Sequence, residues 1–185
     1  MTVIPQHMFK MAGVLSLTLV MSAAVPVEAP VADAAQGRDG ELVRRLVSQG
    51  ADVNTAHGDG MTALHWASEN DDTEIVRMLI IAGAQLEAAT RNGDETALHL
   101  ASKVGNAAAV RMLLDAGARV DARTSNGTTA LHFAGASGHV GTIQALIDHG
   151  ADVDVRESFV GQTPLIFAAS RGRPEAVRAL LEAGA

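Results

Sequence analysis

A seven-residue phrase returns four times in this chain. TALHWAS spans 62–68, TALHLAS 96–102, TALHFAG 129–135 and TPLIFAA 163–169. The opening threonines step by 34, 33 and 34 residues. Gly-Ala pairs beginning at 50, 83, 117, 150 and 184 keep the same beat, with steps of 33, 34, 33 and 34. A unit of this length is one supersecondary element that cannot bury its apolar face alone, so its copies must stack. The period therefore points to a solenoid rather than to one globular centre.

Each unit reads as two short helices and a turn. Thr62 is placed to N-cap a helix over ALHWAS. A polar pair or a glycine then breaks that helix, at Asn70-Asp71, Gly105, Gly138 and Gly172. A second helix follows, as in TEIVRMLIIA over 73–82, where Ile75, Val76, Leu79 and Ile80 recur at helical spacing. Gly83 suits a left-handed C-cap. About ten residues rich in Asp, Asn, Gly and Arg then run to the next threonine as an extended turn or hairpin. The turns before Thr96 and Thr163 hold one residue more than those before Thr62 and Thr129, which predicts two finger shapes. Aromatic residues are only 3% of the chain against 48% hydrophobic overall, so Ala, Leu, Val and Ile must build a thin, closely stacked core.

These residues resemble the ankyrin repeat family. The matching pattern is G-x-T-A/P-L-H-x-A, then two helices, then L-L-x-x-G-A-D-V. The resemblance covers about 30–185 and implies an all-α ankyrin-repeat solenoid of stacked helix-turn-helix units with protruding hairpin or turn fingers. Its units fall at 30–56, 57–89, 90–123, 124–156 and 157–185. The first is degenerate: it lacks the Thr-x-Leu-His segment and carries Arg38 where the family places an inter-helix glycine. The array reaches Ala185 at a Gly-Ala pair without a polar capping helix, so further repeats are expected to follow. Gly135, Gly138 and Gly141 make the fourth unit the expected soft part of the array, because glycine within a helix costs about 1 kcal/mol relative to alanine.

The recurring His65, His99 and His132 raise the question of a metal or catalytic site. Each stands three residues after its threonine, once per unit. Packed helices lie about 10 Å apart, whereas zinc ligands lie about 2 Å from one ion. The resemblance implies a structural role, the ring bonding to backbone and to the threonine hydroxyl within its repeat. Ile166 holds the same place in the fifth unit. The rival, a metal-dependent hydrolase built on these histidines, is the weaker alternative. His132 with His139 is split by Gly138. Gly135-Ala136-Ser137-Gly138 is not a G-x-S-x-G elbow. Asp152-x-Asp154 lacks the further ligands of a calcium loop. Asn126-Gly-Thr128 is a glycosylation sequon, meaningful only in a eukaryotic secreted protein. The absence of cysteine removes thiolate chemistry and disulfides. No catalytic residue, cofactor or metal ligand is assigned. With 14 basic against 21 acidic residues, net −7, nucleic acid is a poor partner.

What remains is a protein-binding surface. By resemblance it comprises the finger tips and the exposed side of each first helix. The second unit offers Asp59, Met61, Glu69 and Asn70. The third offers Arg91, Asn92, Glu95, Lys103 and Val104. The fourth offers Ser125, Asn126, Thr128, Ala136 and Ser137, and the fifth Phe159, Val160, Gln162, Ser170 and Arg171. Trp66 shares its place with Leu100, Phe133 and Phe167, which assigns it to packing between repeats. The Phe159-Val160 pair at a turn tip is unexplained by folding, unless it tucks against a following repeat.

The first residues read as a secretory signal: Lys10, an apolar run of about 15 to 17 residues, then Ser22-Ala23-Ala24. Cleavage is expected after Ala24, with Ala29 and Ala34 as other options, leaving a linker over 25–29. The run is shorter than the roughly 20 residues that span a bilayer. The alternatives are a retained anchor, which makes the chain a membrane-tethered scaffold, or a start codon placed too early. The expectation is thus an exported, periplasmic or secreted, non-enzymatic binding module.

Overall fold

The structure, a computed structural model, describes residues 28–185. The signal-like segment, the bond after Ala24 and most of the linker lie outside the described residues.

Ten α-helices form five pairs, each joined by a two- or three-residue turn. The pairs are α1 (Pro30–Gln36) with α2 (Gly40–Ser48), α3 (Ala63–Glu69) with α4 (Thr73–Ile81), and α5 (Ala97–Val104) with α6 (Ala107–Asp115). Then come α7 (Ala130–Ser137) with α8 (Val140–Asp148), and α9 (Pro164–Ser170) with α10 (Pro174–Glu182). The odd-numbered helices pack side by side in one row and the even-numbered helices in a second. No β-strand occurs among the described residues.

The core repeats with the sequence. Leu64, Leu98 and Leu131 are buried from the first row, and Leu79, Leu113, Leu146 and Leu180 from the second. Each buried leucine contributes about 1.5–3 kcal/mol relative to exposure. Ala67, Ala101, Ala134 and Ala168 are fully buried between rows, where a larger side chain has no room. The small residues Ser68, Ser102 and Gly135 stand next to them, also buried. A Cβ added to Gly135 would lie 2.8 Å from the carbonyl oxygen of Pro164. Gly135 is therefore a point of close approach between α7 and α9, and not simply a weak place in a helix.

The expected helix over 73–82 is α4, whose C-cap is Ala82, with Gly83 following at φ 84°. The helix-to-helix turns need one left-handed residue. Glycine supplies it at Gly105, Gly138 and Gly172, but Arg38 (φ 58°) and Asp71 (φ 60°) adopt it in the first two units. Second helices start on side-chain caps that the sequence reading missed: Asp39, Asp72 and Asn106 each accept the N–H three residues on. His139 and Arg173 hold the same place in units four and five without capping.

The fingers come in two sizes. Backbone bonds close them from His57 N–H to Met61 O and from Thr124 N–H to Thr128 O in the short pair. In the long pair they run from Thr90 N–H to Glu95 O and from Glu157 N–H to Gln162 O. Neighbouring fingers are strung together by one further backbone bond each: Arg91 N–H to Asp59 O (2.7 Å), Ser125 N–H to Gly93 O (2.9 Å) and Ser158 N–H to Asn126 O (2.8 Å).

Candidate functional site: the finger row and the first-helix face

The three histidines are the ties that hold the fingers to the helices. In the third unit, Nδ1 of His99 accepts the backbone N–H of Thr96 (3.0 Å) and lies 2.9 Å from the Thr96 hydroxyl. This closes a capping box in which histidine replaces the usual glutamate. His65 and His132 do the same with Thr62 and Thr129. The other ring nitrogen reaches out of the helix. Nε2 donates to Ala122 O from His99 (2.9 Å), to Glu95 O from His65 (3.1 Å) and to Gln162 O from His132 (3.0 Å). Glu95 and Gln162 belong to the finger of the following unit, so each of these rings joins one repeat to the next. All three are buried, and burial pushes their pKa below the ordinary value, against the pull of the carbonyl bonds. A neutral ring with both nitrogens occupied is neither base nor ligand. Among the described residues, no group of three His, Cys, Asp or Glu is placed to hold a metal.

Aromatic residues complete the same interfaces. Phe133 meets the His99 ring edge-on at 5.8 Å, and Phe167 meets His132 at 4.9 Å. Trp66 donates its Nε1–H to Nδ1 of His57 (3.2 Å), whose Nε2 is 2.9 Å from Asp33 in the first unit. Trp66 is thus linked to the first unit through His57.

Most of the proposed contact residues face solvent, and some do not. Asp59, Glu69, Arg91, Asn92, Lys103, Val104, Ser125, Asn126, Phe159, Val160, Ser170 and Arg171 are exposed. Met61 and Thr128 are buried, at 8% and 3% exposure, so neither side chain projects from the finger and each only borders a cleft. Each directly precedes its capping threonine in a short finger, where the tight turn points it inward. Glu95 and Gln162 precede theirs in long fingers and are half-buried. Asn70 is half-buried and donates to Ala35 O (3.1 Å), closing the end of α1. Ser137 is half-buried with its hydroxyl turned back onto Phe133 O (2.9 Å), and Ala136 is half-buried too.

Between fingers and first helices lie two clefts. One, of about 250 Å³, is lined by Asp59, Met61, Trp66, Glu69, Glu95 and Leu100. The next, of about 300 Å³, is lined by Glu95, Thr124, Asn126, Phe133 and Phe167 among others. The first is acidic. At the end of the fifth unit's first helix, by contrast, Arg171 and Arg173 are exposed.

The fifth finger has an organiser that sequence reading overlooked. Glu157 stands where the other fingers have His57, Thr90 and Thr124. Its carboxylate accepts N–H groups from Phe159 (2.5 Å), Val160 (2.8 Å) and Gln162 (3.0 Å). The Gln162 N–H, then those of Phe159, Val160 and Gly161, hold its carboxyl below the usual range despite burial. An acidic residue opening a loop that contains a glycine was the available signal.

Comparison with known proteins agrees with this geometry. A family model described as ankyrin repeats (3 copies) matches residues 31–124 and 119–185. The human mitochondrial disaggregase is 42% identical over 57 residues, which is 31% of this chain and 8% of that protein. The cortactin-binding protein 2 of Rhinolophus ferrumequinum is 42% identical over 59 residues, 32% of this chain and 4% of that protein. The chain therefore spans less than two thirds of the length of these curated relatives. With the family model covering nearly all of the described residues, this chain belongs to the ankyrin repeat family.

Proposed function

We propose that this chain is an exported module that binds a protein partner across its finger tips and first-helix face. Ankyrin repeats form protein-interaction modules, and the observation that carries the finer reading is the division of labour within each unit. The residues that build the stack recur from unit to unit, whereas the exposed tips differ: Asp59, Asn92, Asn126 and Phe159. Along the face the charge turns from acidic at Asp59 and Glu69 to basic at Arg171 and Arg173. A partner laid along the array meets both signs, which fixes its direction. The export part rests on the N-terminal pattern of Lys10, an apolar run and Ser22-Ala23-Ala24.

The test is affinity capture from an envelope and culture-medium extract, followed by reconstitution of the complex from purified components. The control carries Phe159→Ser, Arg171→Glu and Glu69→Lys, all at exposed positions. A complex that reforms with the native chain and fails with the control is the expected result. A complex indifferent to all three changes refutes the proposed face. Intact mass of the exported protein tests the cleavage after Ala24.

A further inference from the structure

Resting on that protein-binding reading, we propose that the fifth finger is a preformed apolar hook. Phe159 and Val160, held outward by Glu157, enter an apolar pocket on the partner whose rim carries carboxylates.

Four observations support the hook. First, Phe159 is 88% exposed and Val160 64%, while the corresponding tips of the other fingers are polar or glycine. Water gives nothing to such a pair, so its placement needs a partner. Second, the pair is held and not merely exposed. Three backbone N–H groups of the loop converge on the Glu157 carboxylate, the Gln162 carbonyl is tied to Glu157 N–H and to His132, and Ser158 N–H is tied to the fourth finger. A loop fixed before binding loses little entropy on binding. Third, stacking of a further unit does not account for the pair. Asn92 occupies the register of Phe159 in the other long finger, five residues before a first helix, and it is exposed although the fourth unit packs directly behind it. The position lies outside the stack by construction. Fourth, two guanidinium groups flank the tip. Arg156 donates to Gly161 O (2.9 Å) within the loop, and Arg123 donates to Arg156 O (3.2 Å) from the neighbouring finger. Both side chains are exposed. The one carboxylate inside the loop is occupied by backbone N–H groups. The complementary surface is therefore an apolar recess bordered by negative charge.

A synthetic host of that chemistry tests the hook without knowledge of the partner. Carboxymethyl-β-cyclodextrin has an apolar cavity with an anionic rim; unmodified β-cyclodextrin has the same cavity with a neutral one. Each is titrated into the ¹⁵N-labelled full chain and followed by amide chemical shifts. The expected result is weak binding with shifts centred on 156–162, several-fold tighter for the anionic host at low salt and equal for both at high salt. Phe159→Ser weakens it roughly tenfold or more and leaves the thermal unfolding curve in place. Glu157→Gln places an amide among N–H donors, so it weakens host binding several-fold and increases fast motion of the 159 and 160 amides, with the remaining spectrum unchanged. No shift at the tip with either host overturns the hook, and equal affinity for both at low salt overturns the charged rim. Co-sedimentation with phosphatidylcholine–phosphatidylglycerol vesicles that is lost in Phe159→Ser overturns the protein pocket in favour of a lipid surface. A reconstituted partner complex that survives Phe159→Ser but not Glu69→Lys removes the hook while leaving the binding module intact.

Discussion

Lowering the pH from about 7.5 to about 5.5 should remove stabilisation held by three neutral histidines at once. His65, His99 and His132 are each 1% exposed or less. In each, Nδ1 accepts the N–H of the capping threonine and Nε2–H donates to a backbone carbonyl, so a second proton breaks the cap. Burial pushes all three pKa values below the ordinary one. Between the folded and unfolded pKa the unfolded chain binds more protons, so stability is complete above about pH 6.5 and falls as pH drops below it. One unit below the unfolded pKa the loss from each ring is at most about 1.4 kcal/mol, and from the three together at most about 4 kcal/mol. That is a large part of the stability of an ordinary domain. His149 acts with the opposite sign: its hydrogen bond to Asp115, then that to Ala145 O, raises its pKa, giving stability that is complete below the ordinary value of about 6.5 and lost as pH rises through the raised one. It is exposed, so a His149→Asn background at moderate salt removes it from the measurement. Urea unfolding is followed at closely spaced pH by far-UV circular dichroism and by Trp66 fluorescence, whose coincidence establishes a single transition. In His99→Leu the stability at neutral pH drops, and the pH slope shrinks by about one third. A flat profile between these pH values, or an undiminished slope in His99→Leu, refutes the reasoning.

Other outcomes follow from the packing. Gly135→Ala gains about 1 kcal/mol of helix propensity but drives a methyl to 2.8 Å from Pro164 O; the net result in urea unfolding is a loss of about 1–3 kcal/mol. Ser102→Ala removes a buried hydroxyl that has no hydrogen-bond partner and gains about 1 kcal/mol in the same assay. Arg38→Gly relieves a left-handed residue and raises stability by about 0.5–1 kcal/mol after the extra entropy of the unfolded chain is subtracted. Hydrogen exchange should be faster in α8, which lacks a side-chain cap and contains Gly141, than in the capped α4 and α6; the slowest exchange in α8 contradicts this.

The stack was legible in the sequence because its causes are local. Thr62, Thr96, Thr129 and Thr163 start the first helices, and one residue more or less before the threonine changes the closing bond of the finger. The bland reading of the histidines was also available, since one ring per unit at one helical turn from a cap satisfies that cap. Their second bonds were not legible. Reaching Glu95 O or Gln162 O requires knowing how the next unit sits, and nothing within 33 residues states that. The inward turn of Met61 and Thr128 was missed for a related reason. A finger was treated as uniformly exposed, although the residue abutting the cap is folded under it. Glu157 was missed because its partners are N–H groups, which leave no trace in the residue types around it.

The alternation of finger lengths has a consequence for recognition. If all units were alike, a long partner could bind one unit out of step at little cost, sliding along the array as on a ladder with equal rungs. Here short fingers close at Met61 and Thr128, and long ones at Glu95 and Gln162. A displacement by one unit sets every long finger where a short one belongs. The smallest slip that restores the match is two units, about 20 Å at the usual helix spacing. A partner that reads the finger lengths is therefore disfavoured from slipping by one unit, and its register is set in steps of two.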